Sequence, residues 1–205
     1  MTGSNSPLGL FGGRFDPIHR GHVALAQAAA DQLHLTEIRW LVTGTPVHKP
    51  AVASAHHRLN MVKVTLQALN DPRMVVDDRE ILTSMHGEPS FTATTIESFQ
   101  KETPGRALVW LIGEDQIQEF VTWHRWEWLI QNMSLAIVPR PGASTSDVRQ
   151  RLRSNGGQLY TVCTPPNSIS SSQIRERIRH RESITDLVPK EVSNYIQNHH
   201  LYAAP

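Results

Sequence analysis

Short runs of consecutive apolar residues recur along the chain at 8–11, 38–43, 74–76, 107–112, 135–138 and 159–163. They are rich in Val, Ile, Leu and Trp, and each is too short for a helix, so they predict strands buried on both faces. Between them, apolar residues fall at helical spacing over 22–33, 55–69, 91–102, 115–120, 125–131, 147–154 and 170–180. Local signals support several of these boundaries. Ser54 is placed to cap the helix at 55–69, and Asn155-Gly156-Gly157 is a stop for the one before it. Pro189 suits the first turn of a last helix at 190–200. Strand and helix alternating with short connections predict an α/β fold, a doubly wound and mainly parallel sheet with helices on both faces. A small helical part at about 168–205 completes it. With no Ser/Gly/Pro linker and no internal repeat, a single domain over 1–205 is expected.

Composition narrows the function classes. The 205 residues are 39% hydrophobic and 19% charged, enough for a substantial core and unlike a disordered chain. Twenty Lys+Arg against 19 Asp+Glu give a net charge of +1, so neither a nucleic-acid partner nor a membrane partner is expected from bulk charge. The arginines at 149, 151 and 153 and at 175, 177, 179 and 181 are spaced by two, which alternates helix faces and makes no single basic stripe. The first residues have no basic and apolar leader, and the longest purely apolar run, 107–112, is far below a membrane span, so a cytoplasmic location is expected. One cysteine, Cys163, excludes an intramolecular disulfide framework and a Cys-rich zinc site. It is expected as a small buried hydrophobe at a strand end. Eleven histidines are the odd count, and position must decide what they mean.

In a doubly wound sheet, ligands bind beyond the C-terminal ends of the strands. The loop after the first strand reads Gly12-Gly13-Arg14-Phe15-Asp16-Pro17-Ile18-His19-Arg20-Gly21-His22. It holds neither the dinucleotide fingerprint nor a Walker A motif. Gly12 and Gly13 allow close backbone approach, and His19 and His22 lie three apart at a helix entrance, where free N–H groups suit phosphate. Two imidazoles there donate to phosphoryl oxygens. A metal half-site or plain helix surface is the alternative for the His pair alone, and the glycine pair behind it favours phosphate. A second stretch, Ile169-Ser170-Ser171-Ser172-Gln173-Ile174-Arg175, has capping-box spacing from Ser170 to Gln173. Its hydroxyls and Arg175 suit phosphate too, although a serine cap with a surface arginine would look the same.

GGRFDPIHRGH followed late by ISSSQIR resembles the H-x-G-H nucleotidyltransferase superfamily, most closely its bacterial nicotinate mononucleotide adenylyltransferases. Between the two motifs stand Pro46-Val47-His48-Lys49-Pro50, Ser90-Phe91-Thr92-Ala93, Gly113-Glu114-Asp115 with Phe120 and Trp123, and Pro139-Arg140-Pro141-Gly142. The resemblance covers the chain from about Leu8 to Tyr202. It implies a Rossmann-like nucleotidyltransferase that joins ATP and nicotinate mononucleotide into deamido-NAD and pyrophosphate, a step of NAD biosynthesis. It also implies Mg²⁺, held mainly by the ATP phosphates with no protein metal ligands expected. The resemblance places His19 and His22 on the ATP phosphates, with His22 nearest the reacting α-phosphate. Arg175, Ser171 and Ser172 hold the departing pyrophosphate. Gly12, Gly13, Phe15, Gly113 and Asp115 belong to the ATP site. Thr92, Ala93, Trp123 and His124 frame the pyridine ring, with His48, Lys49 and Arg140 as further phosphate candidates.

Two positions depart from the family pattern. Arg14 stands where the family has Thr, and either adds a phosphate contact or points to solvent; Ser172 replaces a Thr and keeps the hydroxyl. Adenylyl transfer needs positioning and charge neutralisation and no protein nucleophile, which matches this set of residues. Trp126 and Trp128 read as packing, and Asp77, Asp78 and Glu80 as solvated loop carboxylates. Two rivals stay open from sequence. One is the same fold acting on nicotinamide mononucleotide or phosphopantetheine; the other is a nucleotide sensor without turnover.

Overall fold

Each apolar run forms a strand: β1 (Leu8–Gly13), β2 (Glu37–Val42), β3 (Met74–Asp77), β4 (Leu108–Gly113), β5 (Ser134–Val138) and β6 (Leu159–Thr161). The computed structural model describes residues 6–46, 51–85, 87, 90–139, 145–165 and 168–203. The strands join one six-stranded sheet in the order β3-β2-β1-β4-β5-β6. β1 pairs parallel with β4, Leu8 opposite Leu108; β4 pairs parallel with β5, Gly113 opposite Val138; β5 pairs parallel with β6, Leu135 opposite Leu159. The order reverses between β1 and β4, which is the switch point of a doubly wound sheet. This is the doubly wound α/β class expected from the pattern.

The helices are α1 (Arg20–Gln32), α2 (Ala55–Leu69), α3 (Arg79–Met85), α4 (Thr92–Glu102), α5 (Glu114–Ile117), α6 (Trp126–Asn132), α7 (Ser146–Ser154), α8 (Ser171–Arg179) and α9 (Lys190–Asn198). Local chemistry explains their ends. Ser54 Oγ accepts from His57 N at 3.3 Å at the start of α2. At its far end Asn70, at φ 50°, turns the chain left-handed and donates to Leu66 O at 3.1 Å. After α7, Gly156 at φ 88° donates to Arg153 O and Gly157 to Leu152 O, both at 3.0 Å.

Three expectations need correction. The chain 79–85 forms α3, where only loop was expected. Asp77 and Glu80 are buried, not solvated: Asp77 lies in a two-point pair with Arg79, both contacts at 2.8 Å, which keeps the carboxylate satisfied away from water. Cys163 is exposed, and its backbone is tied to the Gln32 side chain by bonds of 2.9 and 2.7 Å. No helix among the described residues is long and apolar enough to cross a membrane.

The packing resolves into two units. One comprises Met1–Gly12, Leu25–Arg39 and Phe91–Pro166. Its core is the fully apolar β4 from Leu108 to Ile112, with Leu135, Ala136 and Ile137 of β5 and the buried Ile96, Phe99, Leu129 and Ile130 of α4 and α6. The other comprises Gly13–Ala24, Trp40–Ser90 and Asn167–Pro205. Here α2 packs on α9, and Phe15, Ile18, Trp40, Met61, Val62, Val192 and Ile196 are buried.

Two buried charges organise this second unit. Arg58, only 1% exposed, donates to Ala53 O (3.2 Å), Arg14 O (2.8 Å), Thr43 O (2.7 Å) and Gly44 O (2.9 Å). Asp16, 2% exposed, accepts from Val52 N (2.7 Å), Ala53 N (3.1 Å) and the Tyr202 hydroxyl (2.8 Å). Burial pulls Arg58 below the usual guanidinium range, and the Asp16 carboxylate works against that.

Replacing Arg58 by Met leaves those carbonyls and the Asp16 charge without their cation. Loss of one member of a buried charged network costs about 3–5 kcal/mol. Urea unfolding of Arg58→Met is expected to show a loss of this size, and a change below ~1 kcal/mol would mean the network is not what holds these loops.

Candidate active site

The loop leaving β1 is shaped by two rings. Gly12 has no room for a side chain, because a Cβ there would meet the buried Trp110 ring at 2.3 Å. A Cβ on Gly13 would come within 3.1 Å of the Phe15 ring. The glycines therefore let aromatic rings close on the strand end, in addition to any ligand approach. Phe15 itself is buried and left-handed at φ 49°, a conformation a bulky residue keeps only when its surroundings impose it. Its ring packs at 5.4 Å from Trp40 and edge-on at 5.1 Å from His22.

His19 and His22 follow, at the entrance to α1. Their rings stack with centroids 3.6 Å apart and planes at 25°. His19 N donates to His22 Nδ1 at 3.2 Å. An Nδ1 that accepts carries no proton, so neutral His22 holds its proton on Nε2 and is a donor there. The pair is thus a preset donor site, with His19 only 7% exposed.

The late serine stretch docks on the same loop. Ser170 caps α8, its Oγ accepting from Gln173 N at 3.2 Å. Ser171 Oγ donates to Pro17 O at 2.9 Å, and Arg175 Nη1 donates to Asp16 O at 2.7 Å. Ser172 Oγ accepts from Arg175 Nη2 at 3.2 Å. Arg175 Nε is buried and has no hydrogen-bond partner among the described residues. Ser171 has committed its hydroxyl proton to the loop, so only its backbone N–H remains for an anion. Ser172 accepts from Arg175 and keeps its proton for a ligand.

The other unit carries a different set. Gly113 ends β4 with nothing within 4 Å of an added Cβ. Of the two acids that follow, Asp115 is exposed and Glu114 is buried. Glu114 bonds Thr145 Oγ1 and takes Arg149 Nε at 3.1 Å and Nη2 at 2.6 Å. Trp123 is half-buried, 4.9 Å from Phe120 and edge-on to Trp110 at 6.1 Å. His124 is exposed and leans on Phe91 at 4.8 Å. Thr92 opens α4, and Ala93 behind it is buried, so Ala93 offers a ligand only its backbone.

Comparison with known proteins settles the family. The cytidylyltransferase-like family model matches residues 10–177. A curated relative from Pseudomonas paraeruginosa, named "Probable nicotinate-nucleotide adenylyltransferase", is 38% identical, covering 97% of this chain and 98% of its own. A relative of the same name from Neisseria meningitidis is 34% identical, covering 95% and 98%. The chain belongs to the nicotinate-nucleotide adenylyltransferase family. Among solved structures, Plasmodium falciparum nicotinic acid mononucleotide adenylyltransferase complexed with APC aligns with a TM-score of 0.80 at 20% identity, covering 96% of this chain and 97% of that one. The same enzyme complexed with NaAD gives 0.79 at 21%, with the same coverage. At these identities the two structures speak for the fold.

Within this adenylyltransferase, Phe15, His19, His22, Ser171, Ser172 and Arg175 come together in one unit. Gly12, Thr92, Ala93, Gly113, Asp115, Trp123 and His124 lie in the other. His48, Lys49 and Arg140 fall outside the described residues. Sequence reasoning missed Asp16 and Arg58, whose partners are distant along the chain, and Glu114, which was overshadowed by Asp115. Arg14 gives its carbonyl to Arg58. Trp126 and Trp128 carry stacked arginines, Arg151 at 5.0 Å and Arg125 at 4.4 Å, as side chains packed at a surface do.

The two glycines that end adjacent strands should respond differently to alanine. Gly12→Ala forces the Trp110 ring to move and is expected to cost about 1–3 kcal/mol by overpacking. Gly113→Ala, at φ −78° and in open space, should change stability by less than ~0.5 kcal/mol while weakening ATP binding. Chemical unfolding and calorimetric ATP titration of both variants measure the contrast.

Proposed function

We propose that the chain transfers the adenylyl group of ATP to nicotinate mononucleotide, giving nicotinate adenine dinucleotide and pyrophosphate, as a cytoplasmic step of NAD biosynthesis. The observation that carries the site assignment is the docking of the serine–arginine helix end on the H-x-G-H loop through the Asp16 and Pro17 carbonyls. Two phosphate-type donor sets more than 150 residues apart in sequence are held against one turn of backbone. His22 Nε2–H, the Ser172 hydroxyl, the α8 N–H groups and the unspent Arg175 Nε together form an anion site.

The chemistry follows from these donors. An oxygen of the mononucleotide 5′-phosphate attacks the ATP α-phosphorus, and the bond to the oxygen bridging to the β-phosphate breaks. No proton leaves a protein nucleophile. His19 and His22 hold the phosphates in line, and Arg175 with Ser172 takes up charge on the departing pyrophosphate. Thr92, Trp123 and His124 receive the pyridine ring, with Ala93 contributing its backbone. Gly113 and Asp115 serve the adenosine, and His48, Lys49 and Arg140 reach phosphate.

The donors suit a metal that arrives on its ligand. They are cations, N–H groups and hydroxyls, and among the described residues no group of three or more His, Cys, Asp or Glu could hold an ion. Mg²⁺, when bound on the triphosphate, would supply further charge neutralisation there.

Pyrophosphate release from ATP, Mg²⁺ and a panel of acceptors tests this reading. The highest kcat/KM is expected with nicotinate mononucleotide, above nicotinamide mononucleotide and phosphopantetheine. A preference for phosphopantetheine, or no turnover at micromolar enzyme, overturns it. His22→Ala should lower kcat by at least ~10²-fold with the fold intact, as loss of a transition-state donor does.

A further inference from the structure

Tyr202 lies just beyond the last helix, yet it is buried, 8% exposed, with its hydroxyl donating to Asp16 Oδ1 at 2.8 Å. The chain reaches this position through a defined stop. After α9, His199 N bonds Tyr195 O, His200 N bonds Gln197 O and Leu201 N bonds Ile196 O. His200 at φ 49° and Tyr202 at φ 65° are both left-handed, a conformation that L-residues other than glycine adopt at a cost. The segment after α9 is thus turned inward to deliver a phenol to one carboxylate. Burial and the facing Asp16 carboxylate push the Tyr202 hydroxyl above the usual phenol range, so it remains a donor.

What that carboxylate controls lies on the same residue. Asp16 receives Val52 N and Ala53 N as well as Tyr202, and its own carbonyl is the acceptor for Arg175 Nη1 at 2.7 Å. Holding the side chain from several directions restrains Asp16 as a whole, and the carbonyl that meets Arg175 sits on that same restrained residue. Arg175 then has Nη1 on Asp16 and Nη2 on Ser172, and presents a buried Nε without a partner among the described residues. A guanidinium is planar, so fixing Nη1 and Nη2 fixes where its third nitrogen points.

We propose that Tyr202 is a positioning residue for nucleotide binding: by holding the Asp16 carboxylate it aims Arg175 at the phosphates. The proposal rests on the assignment of Arg175 to the phosphate site made above. A purely structural tyrosine would affect stability alone, whereas this one acts through a single named partner.

A double-mutant cycle reads that dependence from ATP affinity, measured calorimetrically on the full chain with Mg²⁺. Tyr202→Phe keeps the ring and leaves Asp16 both backbone donors, so the fold should persist. It is expected to weaken ATP binding about fivefold in the parent protein and less than twofold in an Arg175→Lys background. Equal losses in both backgrounds, or a fall in thermal midpoint with unchanged affinity, overturn the proposal. Hydrogen exchange on the unmodified protein gives a second test by reciprocity. ATP should slow exchange of the amides at 199–203, and unchanged exchange at saturating ATP overturns the proposal as well. These readouts need no turnover. An inactive parent enzyme that still shows the cycle would refute the adenylyl-transfer reading alone.

Discussion

A single buried guanidinium carries the loops of the unit that holds the H-x-G-H turn. The chain leaving β1 and the chain leaving β2 both bring backbone carbonyls into a place without water, where each needs a donor. Arg58 supplies donors to four such carbonyls from one side chain. No other residue type could do so, since guanidinium alone offers five N–H groups in a rigid plane and no acceptor. Asp16 is its complement. A carboxylate is acceptor-only, and it gathers the N–H groups of Val52 and Ala53 and the hydroxyl of Tyr202. One charge collects the carbonyls and the other the donors, and each softens the burial of the other.

This arrangement explains how a loop can be rigid enough for transfer chemistry. In-line attack at phosphorus needs the reacting groups held to a fraction of an ångström, and loops as a class are mobile. Here the H-x-G-H loop has no freedom to spend. Phe15 is clamped between the Trp40 and His22 rings, Pro17 receives Ser171, and Asp16 is bonded through both its side chain and its carbonyl. His22 accepts from His19 N at Nδ1, which in the neutral ring leaves the proton on Nε2 before any ligand arrives. Preset donors of this kind stabilise developing charge without reorganising at the moment of reaction.

How much of this was legible in the sequence depends on the range of the interaction. Strands and helices were, because their signals are local. The Ser54 cap, the Asn155-Gly156-Gly157 stop and the uninterrupted apolar runs each act within a few residues. The fold class followed from their alternation, and the expected chemistry from two motifs that suit phosphate together with the family resemblance they carry. What escaped depends on partners distant in sequence. Arg58 looks like any helical arginine until four loop carbonyls converge on it, and nothing local marks Tyr202 until Asp16 is placed beside it. Asp77 was misjudged because a carboxylate after a strand is usually wet, and only the pairing with Arg79 allows it to be buried. Helix α3 hid behind those same acids. At Gly12 the Trp110 ring forbids a side chain, a second reason for glycine that depends on a partner distant in sequence.

The distribution of charge bears on how a protein of net charge +1 handles two polyanions. Buried acids near a nucleotide site would repel phosphate if left bare, and each unit cancels its own. Glu114 is closed off by Arg149 and Thr145, leaving Asp115 as the exposed acid of that turn. Asp16 is answered by Arg58 and by neutral donors. Arg175 is treated differently, because among the described residues its hydrogen bonds go to a carbonyl and a hydroxyl. Its charge is oriented without being spent. Some surface arginines, by contrast, are paired with acids, as in Arg179–Glu176 and Arg125–Glu97, where solvent weakens the attraction. In the proposed site, a guanidinium already held by Asp16 O and Ser172 Oγ meets phosphate without first reorganising, so orientation does there what number does on a basic surface.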